Sequence, residues 1–482
     1  MSLHSARQIV FGFHPRRTVV VETSAVQLSG DAGLLVVREF DERAGLTADF
    51  AAAIEDTRDP VFTQHSLLAM VRQRVYGLLA DYEDQNDHEQ LRSDPVFKLI
   101  ADRLPDDPDL ASQPTLSRFE NAVSIPDLKR LREVLVAQCL DAFTAPPSRI
   151  TLDVDAVDDP THGRQQLTFF HGFYEQYQYL PIVITCAEND HVALVGLRHG
   201  TCAASLGVDD DLRFLVARIR QRWPDIEIVV RGDSGFGLPL IYDVCDELRV
   251  TYTLGLAMNA RLKRLSDELL ARAQQQFDET DQPQRLFLTD LYQADSWPAP
   301  RRIVIKCEAH AQGLNRRAVV TNRPGADLLP QATYDEYAER GESENRNKEL
   351  KVELCCDRLS DHRFLANFFR LSLHATALNL LVRLRRATTK APTPVELGLI
   401  DPLPTAALAG RARKQYFNRR RQHDPLGEGH ARTWRSRLIK VAAEITTSCR
   451  RVLIKLSSSW PHLDDFYRLG HLVAPPSHPG TS

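Results

Sequence analysis

The sequence predicts an α/β protein: a mixed sheet with helices, preceded by an all-helical region and followed by a basic helical tail. Three observations predict it. Apolar residues recur at helical spacing before residue 145. Short β-like runs alternate with amphipathic helices from 146 to 258. Basic residues gather beyond residue 390.

The elements follow in order. After a short extended start, residues 1–145 read as helices. HSLLAMVRQRVYGLLADY (65–82) and DLKRLREVLVAQCLDAF (127–143) are amphipathic, and ASQPTLSRFENAV (111–123) has a cap residue with Pro114 near its first turn. APPS (145–148) marks a boundary. RITLDVDAV (149–157) reads as a strand, and QYLPIVITCAE and HVALVGLRHG as a hairpin across a tight turn. A helix over 210–223, the strand IEIVVRGD (226–233), a helix over 237–249 and the strand TYTLGLAM complete a core segment, 146–258. Residues 259–330 then interrupt the layer as a β-rich insertion carrying RLFLTDLY, RRIVIKCEA and RRAVVTN. The layer resumes over 331–390 with a long helical stretch starting near Tyr337. APTPVELGLIDPLPT (391–405) links it to a basic C-terminal region, so that 391–482 is linker and tail.

Composition excludes several classes. With 482 residues, 43% hydrophobic and 26% charged, the chain is neither disordered nor collagen-like, and it is long enough to bury a sizeable core. Eight cysteines without a C-x-x-C pair suggest reduced buried thiols rather than a disulfide framework. The longest apolar-rich stretch, Phe364 to Leu384, is interrupted by Arg370, His374 and Arg383, short of the ~18 uninterrupted apolar residues of a membrane span. No apolar run of signal-peptide length occurs near Met1. The expectation is a soluble cytoplasmic protein with no membrane partner.

Charge is segregated. Residues 361–482 hold 20 Lys and Arg against 8 Asp and Glu, whereas residues 1–360 hold 40 against 56. The run RARKQYFNRRRQ, which includes Arg419 and Arg420, interleaves bases with Tyr416 and Phe417, and Trp434 follows. Basic clusters with aromatics are the footprint of a polyanion, most often nucleic acid.

Two acids end predicted strands. Asp153 and Asp155 share one strand face, opposite Leu152 and Val154, because side chains alternate with period two. Asp233 closes IEIVVRGD and opens a glycine-rich turn. A carboxylate at the C-terminal end of a sheet strand points into the crevice where α/β sheets do chemistry. A third feature lies in YAERGESENRNKELK. On a helix, Tyr337, Arg340, Glu344, Lys348 and Lys351 fall within about 80° of arc. The flanking segments are apolar, so the stripe is expected on a largely buried helix, facing a site. Three carboxylates beside bases suit hard divalent cations, which take oxygen ligands, and a two-ion phosphoryl transfer.

At these residues the chain resembles the cut-and-paste DDE transposases of bacterial insertion sequences. Their Tyr-x2-Arg-x3-Glu-x6-Lys signature stands here as Tyr337, Arg340, Glu344 and Lys351 with unchanged spacing. LDVDAVDDPTHGRQQLTFFHGFYEQYQYLP, VVRGDSGFG and CDRLSDHRFLANFFRLSLHA look similar to the insertion-sequence group numbered thirteen-eighty. The resemblance covers roughly residues 25–390 and the basic tail only loosely. It implies an RNase H-like catalytic core with Asp155, Asp233 and Glu344 as catalytic, metal-binding acids and two Mg²⁺ or Mn²⁺ ions as cofactors. The implied partner is double-stranded DNA, both the terminal inverted repeats of a mobile element and target DNA. A homodimer on that DNA, in bacterial cytoplasm and associated with the nucleoid, is expected. Tyr337, Arg340, Lys348 and Lys351 would contact DNA, with Arg419 and Arg420 in the tail, and Trp297 in the insertion would stack on a flipped base. Relatives often carry Thr two residues after the first Asp. Val157 stands there instead, which keeps Asp153 as the alternative first acid, although Asp155 is preferred as the later strand-end residue.

Two rival readings remain. LDVDAV also fits the opening of haloacid-dehalogenase-type phosphatases, with Asp153 as nucleophile and Asp155 as general acid. That family needs a later acid where Gly237 stands, and it gives Tyr337, Arg340, Glu344 and Lys351 no role. The other rival is a catalytically inactive, transposase-derived DNA-binding protein. The aromatic run from Phe169 to Tyr179 is expected to be hydrophobic packing around a loop and the strand that follows.

Overall fold

The computed structural model describes residues 9–325, 328–390 and 410–474. The first described elements are an exposed antiparallel hairpin, β1 (Ile9–Phe11) and β2 (Val19–Val21), followed by β3 (Gln27–Ser29). Seven helices come next: α1 (Leu34–Ala44), α2 (Leu46–Ala52), α3 (Leu67–Leu79), α4 (His88–Leu91), α5 (Pro95–Ile100), α6 (Gln113–Asn121) and α7 (Ile125–Asp141). Their starts are chemically marked. Ser66 accepts from the Ala69 amide to cap α3, Asp94 accepts from Val96 and Phe97 to cap α5, and Ser124 with Asp127 forms a capping box on α7.

The main sheet is built from β4 (Arg149–Ala156), β8 (Ile182–Cys186), β9 (Val192–Gly196), β10 (Glu227–Gly232), β11 (Thr251–Leu256), β12 (Gln284–Tyr292), β13 (Arg301–His310) and β14 (Gly313–Thr321). A small side sheet, β5 (Asp159–Pro160), β6 (Phe169–His171) and β7 (Gln176–Tyr179), projects between β4 and β8. The eight strands run in the order β12-β13-β14-β11-β10-β4-β8-β9. The β4–β10 and β10–β11 pairs are parallel, and the other neighbours are antiparallel. Helices α8 (Val208–Arg222) and α9 (Pro239–Glu247) cover one face with α7, against Leu152, Val154, Ile184 and Val230. The predicted strands and helices of 146–258 are thus present, and β8–β9 is the expected hairpin.

The segment 259–330 extends the layer rather than interrupting it. Its first part is helical, α10 (Ala260–Leu265) and α11 (Asp267–Thr280), which the sequence reading did not contain. Its three strands join the main sheet, because β14 pairs antiparallel with β11 from Thr253↔Thr321 to Leu256↔Ala318. The physical reason is the open edge of β11, whose backbone groups would otherwise lack partners.

The next elements are α12 (Pro330–Ala338), α13 (Gly341–Lys348), a π turn over Glu349–Glu353, and α14 (Phe364–Thr388). By length and hydropathy α14 is apolar enough to cross a bilayer, but it is mostly buried inside the protein, packed on α3, α6, α7 and β9. Its buried charges are paired. Glu120 accepts from Arg370 and Arg74, and Glu349 accepts from Arg385 and Arg346.

The C-terminal region is not a purely helical tail. After α15 (Gly410–His423) and α16 (Ala431–Trp434), a π turn leads to β15 (Ala443–Thr447), β16 (Val452–Leu456) and α17 (Leu463–Val473). β15 pairs with both β16 and β3, joining the two ends of the chain in one sheet, and α17 packs on α1. Short β-branched runs such as EITT drive this pairing, and burying one face against α1 and α5 rewards it. Trp434 is fully buried, its indole N–H donating to the Leu426 carbonyl at 3.0 Å. The linker residues 391–405 lie outside the described residues. All eight cysteines are free and seven are buried, as the absence of paired spacing suggested.

The seam between the two ends is tight. A Cβ on Gly33 would sit 1.9 Å from the Leu438 carbonyl oxygen, whereas one on Gly30 would meet nothing within 4 Å. Gly33→Ala should therefore lower stability by about 1–3 kcal/mol in chemical denaturation, with Gly30→Ala close to wild type.

Candidate active site

The site grows from the parallel register of β4 and β10. Asp153 lies opposite Arg231, and Val154 lies opposite Gly232. Asp155 and Asp233 therefore follow at the C-terminal ends of adjacent strands. The Asp153 carboxylate is fully engaged. Arg231 Nε and Nη2 donate to its two oxygens at 2.7 and 2.8 Å, and Asp153 is 1% exposed. Burial pushes this carboxyl up, and Arg231 opposes that push. Arg231 also donates to the Glu336 carbonyl at 2.7 Å, tying α12 to the sheet.

Asp155 is held differently. Its Oδ2 accepts from Asn347 Nδ2 at 2.8 Å, and Arg340 Nη1 lies 4.0 Å away. Burial raises its pKa, the Asp233 charge adds to the rise, and Arg340 and Asn347 work against it. The Asp233 Oδ1 accepts from the Gly235 amide at 2.8 Å, closing the glycine-rich turn. That turn lies against β11 at a position only glycine fits. A Cβ on Gly255 would come within 2.7 Å of the Ser234 nitrogen and 3.0 Å of the Tyr337 hydroxyl.

The charged segment meets these acids from above, though not as one helical face. α12 ends at Ala338, α13 begins at Gly341, and the π turn follows Lys348. Tyr337, Arg340 and Glu344 still converge. The Arg340 guanidinium bonds the Glu344 carboxylate and lies 6.0 Å from the Tyr337 ring. Burial disfavours the Arg340 charge, but Tyr337, Glu344, Asp155 and Asp233 more than offset it. Burial, aided by Asp233 and Glu344, pushes the Tyr337 hydroxyl up. Lys351 Nζ instead bonds Asp158 at 2.5 Å, and Lys348 is exposed. The buried face of α13 is Ser343 and Asn347, with the Ser343 hydroxyl 2.8 Å from that of Thr185. The expectation of a largely buried helix is therefore corrected at Glu344, whose side chain is 55% exposed.

Among the described residues no group of three or more His, Cys, Asp or Glu is gathered closely enough to hold a metal ion. Glu344 accepts from Arg340. Asp155 and Asp233 offer carboxylate oxygens, the ligand type that hard cations take, and the charge of Asp233 adds to the cost of ionising Asp155 while the Arg340 guanidinium opposes it.

Other predicted residues lie elsewhere. Trp297 is 6% exposed and packs edge-on against Tyr242 and Tyr292 at 5.3 and 5.4 Å. It is a core residue, and no base can stack on it in this arrangement. Arg419 and Arg420 lie on α15, where Arg420 pairs with Glu428 and lies 5.7 Å from the Tyr416 ring. The aromatic run from Phe169 is not packed as expected: Phe169, Phe170, Phe173 and Tyr177 are exposed, and Tyr179 is buried. Arg231 and Asn347 were missed. Arg231 shares the strand face of Asp233, and Asn347 lies one turn after Ser343, but recognising either needs the strand register.

Removing one member of the Arg231–Asp153 pair would strand a buried charge. Arg231→Met should cost about 3–5 kcal/mol in urea denaturation, and the double variant Arg231→Met with Asp153→Leu should recover most of it.

The family described as "Transposase DDE domain group 1" matches residues 11–396. No curated protein matches significantly. Among solved structures, the cryo-EM piggyBac transposase synaptic complex with hairpin DNA is similar at a TM-score of 0.39 and 12% identity, over 95% of this chain and 90% of that one. That likeness is too slight to carry an argument about fold or chemistry. The family match spans most of the chain and includes both strand-end aspartates and the Tyr337–Lys351 segment, so the protein belongs to the transposase DDE domain group 1 family.

Proposed function

We propose that this protein is a cut-and-paste DNA transposase of the bacterial insertion-sequence type. It cleaves the ends of a mobile element by metal-dependent hydrolysis and joins the freed 3′-hydroxyls to target DNA. The observation that carries this reading is the placement of Asp155 and Asp233 on adjacent parallel strand ends, with Arg340 and Glu344 reaching over them. The strand order β9-β8-β4-β10-β11 is the reason for reading the core as RNase H-like. The signature of Tyr337, Arg340, Glu344 and Lys351 supports the insertion-sequence assignment, and the chain resembles the group numbered thirteen-eighty.

Asp155 and Asp233 would hold the first Mg²⁺ or Mn²⁺, and Glu344, once turned from Arg340, would complete a site for two. Bound there, such ions activate the attacking oxygen and stabilise the leaving oxygen in phosphodiester cleavage. The chain's own residues do the rest. Asn347 fixes the rotamer of Asp155, the Gly235 amide fixes Asp233, and Arg340 offers a guanidinium to the phosphate as Glu344 leaves it. Lys348 and Lys351 extend the basic track, and Arg419 and Arg420 on α15 offer a second contact with duplex DNA. Pairing two inverted repeats and capturing a target requires two active sites, hence a homodimer on DNA. Such an enzyme works in the bacterial cytoplasm at the nucleoid.

The phosphatase alternative needs Asp153 as a nucleophile. Both its oxygens bond Arg231 in the interior, so it has none to offer. The inactive DNA-binding derivative is separated by experiment. The gene's native flanking DNA on a supercoiled plasmid, incubated with protein and Mg²⁺, should be cut at two inverted repeats. Asp233→Ala and Glu344→Ala should abolish the cuts and keep DNA binding, and Asn347→Ala should slow them about 10- to 100-fold. Binding without cleavage in Mg²⁺ or Mn²⁺ would point to the inactive derivative.

A further inference from the structure

The β1–β2 hairpin stands in solvent. Every residue from Ile9 to Leu28 is exposed except Val19, which is half-buried. The pairing, from Ile9↔Val21 to Phe11↔Val19, puts Ile9, Phe11, Val19 and Val21 on one face and Val10 and Val20 on the other. Both faces are therefore apolar. Phe13, just beyond β1, is 77% exposed, its ring 6.3 Å from that of Phe11. A lone two-stranded hairpin is marginal at best in water, so this one needs a surface to lie on. Its turn is basic. His14 Nδ1 accepts from the amides of Arg16 and Arg17 at 3.3 and 3.1 Å, which fixes the backbone of both at the tip, and no acid occurs between Ile9 and Val21.

A surface of the opposite kind lies along α11. This helix carries Asp267, Glu268, Asp278 and Glu279 against the single base Arg272, and it packs on β12 and β13 with Ala273 buried. Leu270, Ala271 and Leu314 line an open groove of about 620 Å³ together with Asp267, Asp278 and Glu279. Leu314 is 49% exposed. Asp278 and Glu279 accept from Gln274 and Gln275 at 2.6 and 2.8 Å, neutral donors that leave both carboxylate charges uncancelled.

We propose that the β1–β2 hairpin of one copy of this chain lies in the α11 groove of a second copy, and that the exchange is reciprocal. Polarity and charge argue for this occupant. An apolar hairpin with a basic tip matches an apolar groove bearing acids, and complementary potentials steer such surfaces together. The same acids repel a phosphate backbone, so the groove does not suit DNA. Two reciprocal contacts close as a two-fold dimer and leave no hairpin unmatched. The inference stands apart from the transposase reading, because it needs neither DNA nor the aspartates at the strand ends.

The test is sedimentation of the full-length protein at micromolar concentration without DNA. Wild type should sediment as a dimer. One variant carries Arg16→Glu with Arg17→Glu, and another carries Asp278→Lys with Glu279→Lys. Each should raise the dimer dissociation constant about 10- to 100-fold with an unchanged melting temperature. Both pairs are exposed, and a positive charge in the last turn of α11 suits the helix dipole, so both variants should fold. Mixing the two variants should restore dimers. The reversed tip of one then meets the reversed groove of the other, and the native tip meets the native acids. A monomeric wild type overturns the proposal, as does an undiminished dimer in either variant. No recovery on mixing also overturns it, because a hairpin lying in the groove of its own chain cannot be rescued by a second copy. Normal dimers with lost DNA binding in the Arg16→Glu, Arg17→Glu variant would assign the tip to DNA instead.

Discussion

The parallel pairing of β4 with β10, locked from within by Asp153 and Arg231, is the constraint on which the rest of the site depends. A one-residue slip between these strands would send Asp155 to the opposite face, among Leu152 and Val154. The ion pair is a poor source of net stability, because burying two charges costs about as much as their attraction returns. Its contribution is register. Only one alignment lets the guanidinium reach both carboxylate oxygens and the Glu336 carbonyl together. That alignment brings two strand-end aspartates side by side and brings α12, with Tyr337 and Arg340, down upon them.

The second layer of organisation is charge exchange above the aspartates. Arg340 stands between Asp155 and Glu344, bonded to one and 4.0 Å from the other. A guanidinium in that place offsets the repulsion of clustered carboxylates. It also leaves Glu344 at the solvent edge, on a short helix flanked by a break and a π turn. π turns inside helices recur at functional sites because they shift side chains off the helical repeat. Here the turn carries Glu349 into the interior, where Arg385, Arg346 and the Ala431 amide hold it. The acid-bearing helix is thereby anchored to the core helix α14 and to the C-terminal region, which is itself sealed to the N-terminal end through β3 and β15.

Much of this was legible in the residues. The change from helical spacing to alternation near Arg149 marks where the sheet begins, and Asp155 and Asp233 stand at strand ends because IVV and LDV are too apolar to end anywhere but in a core. The rest needed information that is not local. β14 finds β11 across some sixty residues of intervening chain, so the β-rich segment reads as an insertion until the pairing is seen. The strands of the tail are five residues each, and the basic residues around them hide their alternation. Asp153 and Asp155 are alike in sequence. They differ in their partners: Arg231 across the ladder for one, Asn347 and Arg340 for the other. Aromatic rings in a row look like packing, and only the fold shows that Phe170, Phe173 and Tyr177 stand exposed on the β6–β7 hairpin.

The central claim is that the ends of β4 and β10, with α13 above them, form one cation site. Iron-directed cleavage of the protein backbone tests it most directly. With Fe²⁺, ascorbate and peroxide, a bound ion breaks the chain at the segments that ligate it. The account predicts breaks near Asp155, Asp233 and Glu344, suppressed by excess Mg²⁺ and absent in Asp233→Ala. Breaks confined to other segments, or breaks at these three that persist in Asp233→Ala, would contradict it.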